Sequence, residues 1–274
     1  MQFQFSTLKK VKAAGIVEVF NSAFADYFVK IELTEMSLAD KILAENIILE
    51  KSVGAFVENK LVGFILLGIE NGVAYNGGTG VILKARGNSL TGKMYEFILP
   101  KLNAEGIYSH QLEVVTENFP AIKIYEKIGF ETFRALACFR GKITISKINR
   151  DIEIKDFDEI DETLFSQFWN SNPSWQNSIS AIKRTKYLHK IVGAFYENNL
   201  VGYLIYTETG RIKQFAVKKE FRHSGIAQTL FAQLSNPEII ITNVDKRDYE
   251  TISFLEKLGL NPFLEQFEMK FSNT

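Results

Sequence analysis

The stretch VGAFVENKLVGF at Val53–Phe64 returns as VGAFYENNLVGY at Val192–Tyr203. Self-similarity separated by the length of a whole domain is too widely spaced for a solenoid repeat, so it points to duplication of one fold. With 274 residues, 46% of them hydrophobic, each copy has enough chain to bury a core of its own. Both copies read as a strand, a short polar turn and a second strand. Glu58-Asn59 and Glu197-Asn198 occupy the turns, where asparagine tolerates the left-handed conformation a tight hairpin requires.

The order of elements downstream agrees as well. The first copy continues with a strand through Gly80-Val81-Ile82, then Arg86, then Leu90, Met94, Phe97 and Ile98 at helical spacing. The second continues with Phe215-Ala216-Val217, then Arg222, then Ile226, Leu230 and Leu234. Apolar strands follow at Gln111–Val115 and Glu238–Thr242, each leading to a last helix, Asn118 to Ile128 and Asp248 to Leu258. Asn118 and Asp248 are good N-caps, Pro120 suits a first turn, and Gly129 and Gly259 suit C-terminal caps. Strands followed closely by helices predict an α/β fold with a mixed sheet that is parallel at those strands. The boundary falls between Ile143 and Arg150, giving domains over 1–145 and 146–274.

Composition narrows the function. Thirty-two basic and 32 acidic residues cancel, so no global field draws the chain to nucleic acid or to an anionic membrane. A single cysteine, Cys138, excludes an internal disulfide framework, and three histidines without ligand spacing predict no resident metal. The longest apolar run, Leu61–Ile69, is too short to span a bilayer, and Glu18 interrupts the only apolar stretch near the start. These features predict a soluble, cytoplasmic protein.

A local anion site is nevertheless written between strand and helix. ARGNSLTGKM contains Gly87 to Lys93 in the G-x-x-x-x-G-K spacing of a triphosphate loop, although Met94 stands where a hydroxyl would hold Mg²⁺. The second copy, FRHSGIAQTL, has no such spacing. Shared between the copies are Arg86 and Arg222, small residues at Ser89 and Gly225, branched ones at Leu90 and Ile226, and small ones at Thr91 and Ala227. Small residues let backbone N–H groups approach a diphosphate at a helix N-terminus.

At these residues the sequence resembles the GNAT (GCN5-related N-acetyltransferase) superfamily, whose signature is [RQ]-x-x-G-x-[GA]. RHSGIA fits it fully, whereas RGNSLT departs at Ser89 and Thr91. ENFPAIKIYEKIGF, Glu117–Phe130, resembles the same family's N-x-x-A-x-x-x-Y-x-x-x-G-F segment. The resemblance implies two tandem acyl-CoA N-acyltransferase domains using acetyl-CoA as cosubstrate. It implies cofactor contacts from Val81, Arg86, Gly87, Asn88, Ser89, Leu90, Thr91 and Asn118, and from Val217, Arg222, His223, Ser224, Gly225, Ile226 and Ala227.

By the same resemblance Tyr125 is the acid that protonates departing coenzyme A. Glu113 is the base, a pairing similar to that of ribosomal-protein N-terminal acetyltransferases. Either residue also suits a bland role, Tyr125 as core and Glu113 as a solvated strand carboxylate. Counting back from Gly259 puts Leu255 and Asn243 at the matching places in the second copy, and neither can do acid–base work. The N-terminal half is therefore expected to be catalytic, and the C-terminal half degenerate or CoA-binding. The acceptor implied is a primary amine on a small molecule, peptide or protein. Phe20, Phe24, Tyr27 and Phe28 suit its pocket or the core. An acyl-CoA-binding sensor or assembly module without turnover, and a nucleotide-binding loop, are the alternative readings.

Overall fold

The computed structural model describes residues 2–158, 160–236 and 238–272. Its elements run β1 (Gln4–Thr7), α1 (Ala13–Phe24), α2 (Glu35–Ala44), β2 (Val53–Val57), β3 (Lys60–Glu70), β4 (Val73–Val81), α3 (Leu90–Ala104), β5 (Ser109–Val115), α4 (Phe119–Ile128) and β6 (Glu131–Lys142). The second copy supplies β7 (Glu153–Asp156), α5 (Glu162–Ser166), α6 (Ile179–Arg184), β8 (Lys190–Tyr196), β9 (Asn199–Tyr206), β10 (Arg211–Val217), α7 (Ile226–Phe231), β11 (Glu238–Asp245), α8 (Tyr249–Lys257) and β12 (Asn261–Ser272).

These elements form two compact units, one of Met1–Phe133 with Phe267–Thr274, the other of Arg134–Gln266. The division differs from a cut at 145/146 because each unit takes a strand from the other repeat. β12 lies next to β5, and β6 pairs with β11.

In the N-terminal unit the strands lie in the order β1-β2-β3-β4-β5-β12; β1 to β4 pair antiparallel, and β4 and β5 run parallel. The β2–β3 turn holds Glu58 at φ 49° and Asn59 at φ 63°, both left-handed, as a tight hairpin demands. Alternation along β3 fixes the two layers. Phe64 and Leu66 join Ile16, Phe20 and Leu38 under α1 and α2, while Ile65 and Leu67 join Met94, Ile98 and Leu112 under α3. Two buried faces explain why β3 reads as a continuous apolar run.

The C-terminal unit repeats this plan in the order β6-β11-β10-β9-β8-β7, with β10 and β11 parallel. Glu197 and Asn198 again turn left-handed, at φ 47° and 64°. Its loop-following helix is shorter than the spacing of Leu234 predicts, since α7 ends at Phe231.

Candidate active site

The site begins where a sheet opens. Between β4 and β5 the parallel register runs from Val73 opposite Ser109 to Asn76 opposite Leu112. At the next residue of β4, Gly77, the antiparallel register with β3 slips by one, a β-bulge that turns the strand. The strand beyond it reads Gly77-Gly78-Thr79-Gly80, small side chains along the widening gap. The second unit opens at the equivalent place, after Ile212 opposite Ile241 with a bulge at Lys213, but its strand reads Lys213-Gln214-Phe215-Ala216.

Both loops past the open strands have one backbone course. Gly87 and His223 lie at φ 81° and 60°, Ser89 and Gly225 at φ 55° and 94°. Ser89 thus occupies a left-handed position where glycine is at ease and serine is not. Gly87, Asn88 and Ser89 are exposed, Leu90 is buried, and Thr91 lies in the first turn of α3. Gly92 and Lys93 lie inside that helix, so the triphosphate-loop spacing does not form a loop.

The arginines do not reach outward as a phosphate contact requires. Arg86 donates through Nε to the Val81 carbonyl (3.1 Å), through Nη2 to the Ala23 carbonyl (2.9 Å), and through Nη1 and Nη2 to Asp26 (2.6 and 2.7 Å). Arg222 donates likewise to Val217 (3.1 Å) and Phe168 (2.9 Å) carbonyls and to Asn170 and Glu250 (2.8 and 2.6 Å). Each guanidinium clamps the loop to the end of its strand and to the segment after the first helix of its repeat.

Beside the gap of the N-terminal unit lies a polar network in an otherwise apolar core. Asn76 Nδ2 donates to Thr79 Oγ1 (2.7 Å) and to the Tyr95 hydroxyl (2.9 Å), and Asn76 Oδ1 accepts from the Gly78 N–H (3.0 Å). Burial raises the Tyr125 pKa, and the polar groups of Thr79 and Asn76 beside its hydroxyl oppose the rise. Tyr95, Tyr125 and Phe130 pack edge to face with centroids 5.7 to 6.3 Å apart. Asn118 Oδ1 caps α4 by accepting from the Ala121 N–H, and Tyr27, whose pKa burial raises, stands beside the Asn118 side chain. Phe20 is core, stacked on Phe24 at 4.5 Å and on Phe64 at 5.7 Å.

Glu113 is half-buried and makes no ion pair among the described residues. Its Oε2 accepts from the Tyr75 hydroxyl, and its Oε1 is buried with no partner among the described residues. Burial drives its pKa up to about 8; the Tyr75 bond pulls it back, while Glu268 and Glu45 add to the rise. Tyr75, Asn76, Thr79 and Tyr95 escaped the sequence reading. The signal of the first three was AYNGGTG, polar and glycine residues inside a strand with two apolar neighbours, whereas Tyr95 lies in α3.

The same positions in the C-terminal unit carry no such chemistry. Asn76, Thr79, Tyr95 and Tyr125 correspond to Ile212, Phe215, Phe231 and Leu255, and Phe215, Phe231 and Phe254 pack together with centroids 5.0 to 5.5 Å apart. Leu112 and Ile241 hold matching register positions, so the counterpart of Glu113 is Thr242. Asn243, reached by counting back from Gly259, is an extra residue bulged at φ 61°.

The segment Ser146–Asn149 also straps the second loop. The Ser146 and Lys147 N–H groups donate to Gln228 Oε1 (2.8 and 2.9 Å), and the Asn149 N–H donates to Thr229 Oγ1 (2.9 Å). The Lys147 chain lies over Gly225, with Cγ 3.0 Å from where a Cβ would stand. Ser224 Oγ donates to the Phe221 carbonyl (2.6 Å), and Ile226 is buried next to half-buried Ala227.

Two duplicated α/β units, each with a parallel strand pair that parts ahead of a left-handed loop and a helix, define a tandem acyltransferase fold. Residues 17–130 match the model of the acetyltransferase (GNAT) family and residues 154–253 that of an acetyltransferase (GNAT) domain, and the chain belongs to this family.

A GCN5-related N-acetyltransferase from Sphaerobacter thermophilus superposes with a TM-score of 0.75 at 11% identity, covering 98% of this chain and 95% of its own. A putative acetyltransferase from Pyrococcus horikoshii gives 0.72 at 12% identity over 99% and 90%. A tandem GNAT protein from the clavulanic acid biosynthesis pathway gives 0.71 at 11% over 99% and 98%. At these identities the likeness is one of fold. No curated protein matches the sequence. Among the described residues no helix is long and apolar enough to cross a membrane, and no group of three or more His, Cys, Asp or Glu could hold a metal.

Proposed function

We propose that the N-terminal unit transfers an acetyl group from acetyl-CoA to a primary amine, by direct attack of the amine on the thioester. The observation that carries this reading is the set of hydroxyl and amide groups, Tyr125 with Asn76 and Thr79, at the parted strands of one unit and replaced by apolar side chains in the other. The family's cosubstrate fits that unit. The loop Arg86–Ser89 is exposed, and α3 behind it is 15 residues long, against six for α7 behind the strapped loop. A longer helix offers a fuller terminal dipole to a diphosphate. Gly78, where a Cβ would meet only the Phe20 ring at 3.8 Å, leaves room for the pantetheine arm along β4.

In this mechanism Glu113 takes a proton from the incoming ammonium, and the freed nitrogen attacks the thioester carbonyl carbon. The C–N bond forms, the C–S bond breaks, and the electron pair leaves on sulfur. Tyr125, held protonated by burial, gives its proton to the coenzyme A thiolate, and the tyrosinate so formed takes the second proton that the nitrogen sheds as the amide forms. Backbone N–H groups near Val81, at the end of β4, stabilise the oxyanion.

Thiol release from acetyl-CoA, followed with a panel of primary amines, tests the proposal. Saturable release that needs the amine and falls on Tyr125→Phe supports it; acetyl-CoA binding without amine-dependent release leaves a sensor instead. In this reading the C-terminal unit is non-catalytic, and the protein works as a cytoplasmic enzyme on small-molecule or peptide amines.

A further inference from the structure

Acetyl transfer needs only an amine, and what carries the amine is written in a ladder of rings at the end of α1. Phe64 on β3 stacks on Phe20 with centroids 5.7 Å apart, and Phe20 stacks on Phe24 at 4.5 Å. Tyr27 then meets Phe24 and Phe28 edge to face, at 4.9 and 5.2 Å. Exposure rises along the ladder, from 0% at Phe64 and 4% at Phe20 to 52% at Phe28. The inner rings are core, whereas Phe28 has no further ring against it among the described residues.

The ladder runs beside the parted strands. A Cβ on Gly78 would meet the Phe20 ring at 3.8 Å, and one on Gly80 would stand 2.8 Å from the Phe64 ring and 2.9 Å from the Ala23 Cβ. Register between β4 and β5 ends at Asn76 opposite Leu112, so Glu113 is the first residue of β5 beyond it. Leu112 and Val114 pack under α3, which turns Glu113 to the face of α1 and α2, where the ladder lies. Tyr27 stands beside the Asn118 side chain and within electrostatic reach of Tyr125.

Its outer rings sit on a loop tied at both ends. Asp26 is held by Arg86 (2.6 and 2.7 Å). At the far end Asn21 Nδ2 donates to the Leu33 carbonyl (2.9 Å), and Asn21 Oδ1 accepts from the Leu33 N–H (2.8 Å). The tethers reduce what must be ordered when an acceptor arrives. Charges between them cancel in pairs, Asp26 with Arg86 and Lys30 with Glu32 (3.6 Å). Such a loop gives a second charge on the acceptor no net attraction, so selection falls to contact with the rings. The other unit has no matching loop. After Phe168, whose carbonyl takes the arginine as that of Ala23 does, its chain reads Trp169-Asn170-Ser171-Asn172-Pro173.

We propose that the acceptor is a primary amine on a short chain from an aromatic ring, its ring packed on Phe28 and Tyr27 and its nitrogen reaching past Gly78 to Glu113. The assignment rests on acetyl transfer in the N-terminal unit.

Initial rates of thiol release from acetyl-CoA with 2-phenylethylamine, n-butylamine and the peptide Phe-Gly-Gly test it. Expected is a kcat/KM for 2-phenylethylamine about tenfold or more above the other two, the size of one good aromatic contact. Phe28→Ala should raise KM for 2-phenylethylamine about tenfold with kcat nearly unchanged, and should affect n-butylamine less. Phe28→Tyr, which keeps a ring, should restore the original KM. The exposed position of Phe28 leaves the core intact in both variants, and an unchanged thermal transition checks this. Equal efficiency with the two amines, a preference for the peptide, or a KM indifferent to Phe28→Ala would overturn the ring pocket while leaving acetyl transfer standing. No release with any amine would overturn acetyl transfer and this assignment with it.

Discussion

Tyr75 and Glu113 meet across the parallel pair β4–β5, the phenol hydroxyl donating to Oε2 of a carboxyl whose other oxygen is buried and unpartnered. Tyr75 stands opposite Gln111, so Glu113, two residues further along β5, points to the same face. A carboxyl with a pKa of about 8 holds its proton at neutral pH and becomes a base only as the solution turns alkaline. Acetyl transfer should therefore rise with pH through about 8, and Glu113→Gln should remove that limb. Because the Tyr75 bond favours the charged form, Tyr75→Phe should move the limb further to alkaline pH. A limb unmoved in both variants would separate this pair from the chemistry.

The same shift makes a stability prediction. Glu113 binds its proton more tightly folded than unfolded, so its contribution is fully present below pH about 4.5 and is lost as pH rises to about 8. Glu113→Gln, neutral at every pH, should flatten that part of the stability–pH curve in denaturant titrations. An unchanged slope between those limits would mean the carboxyl is solvated.

Tyr125 is buried and packed against Tyr95 and Phe130, so removing only its hydroxyl keeps the packing. Tyr125→Phe should lower kcat by about 10²-fold, the usual size of a lost general acid, with acetyl-CoA affinity and melting temperature nearly unchanged. Comparable losses in affinity and in rate would place the hydroxyl in cofactor binding.

Ser89 carries the backbone conformation that Gly225 adopts in the other loop, at φ 55° against 94°. Ser89→Gly should stabilise the protein by up to about 1 kcal/mol, since glycine reaches the left-handed region without the Cβ penalty. Gly225→Ala should cost about 1–2 kcal/mol, because its Cβ would meet strain and the Lys147 chain at 3.0 Å. Thermal unfolding of the two variants gives both signs.

Much of this was legible in the chain. The repeated hairpin gave two units, and the caps Asn118 and Asp248, the parallel strands and the left-handed asparagine turns are local features with local signatures. Interactions between distant segments were not legible. Arg86 looks like a free cation until Asp26 and Ala23, far away in sequence, take up its guanidinium. Ser146–Asn149 reads as linker until it is found strapped to Gln228 and Thr229. A single inserted residue, Asn243, defeated counting between the copies, because a bulge leaves the strand pattern intact.

The strand that completes the N-terminal unit comes from the far end of the chain. Phe267–Thr274 belongs to that unit, and within it Phe271 lies 5.5 Å, centroid to centroid, from both Phe130 and His110. Gly129, at φ 113°, turns the chain out of α4 against this ring; a Cβ there would stand 2.8 Å from it, so only glycine suits both the angle and the contact. The ring thus supports the glycine–phenylalanine turn that ends the helix carrying Tyr125. Phe271→Ala should destabilise the protein by about 2 kcal/mol, below the usual buried-phenylalanine loss because this ring is partly exposed. Ending the chain after Gln266 should weaken acetyl-CoA binding although the loop, Glu113 and Tyr125 all remain. Calorimetry on the shortened chain decides the matter, and affinity equal to that of the full-length protein would show the strand to be dispensable for the site.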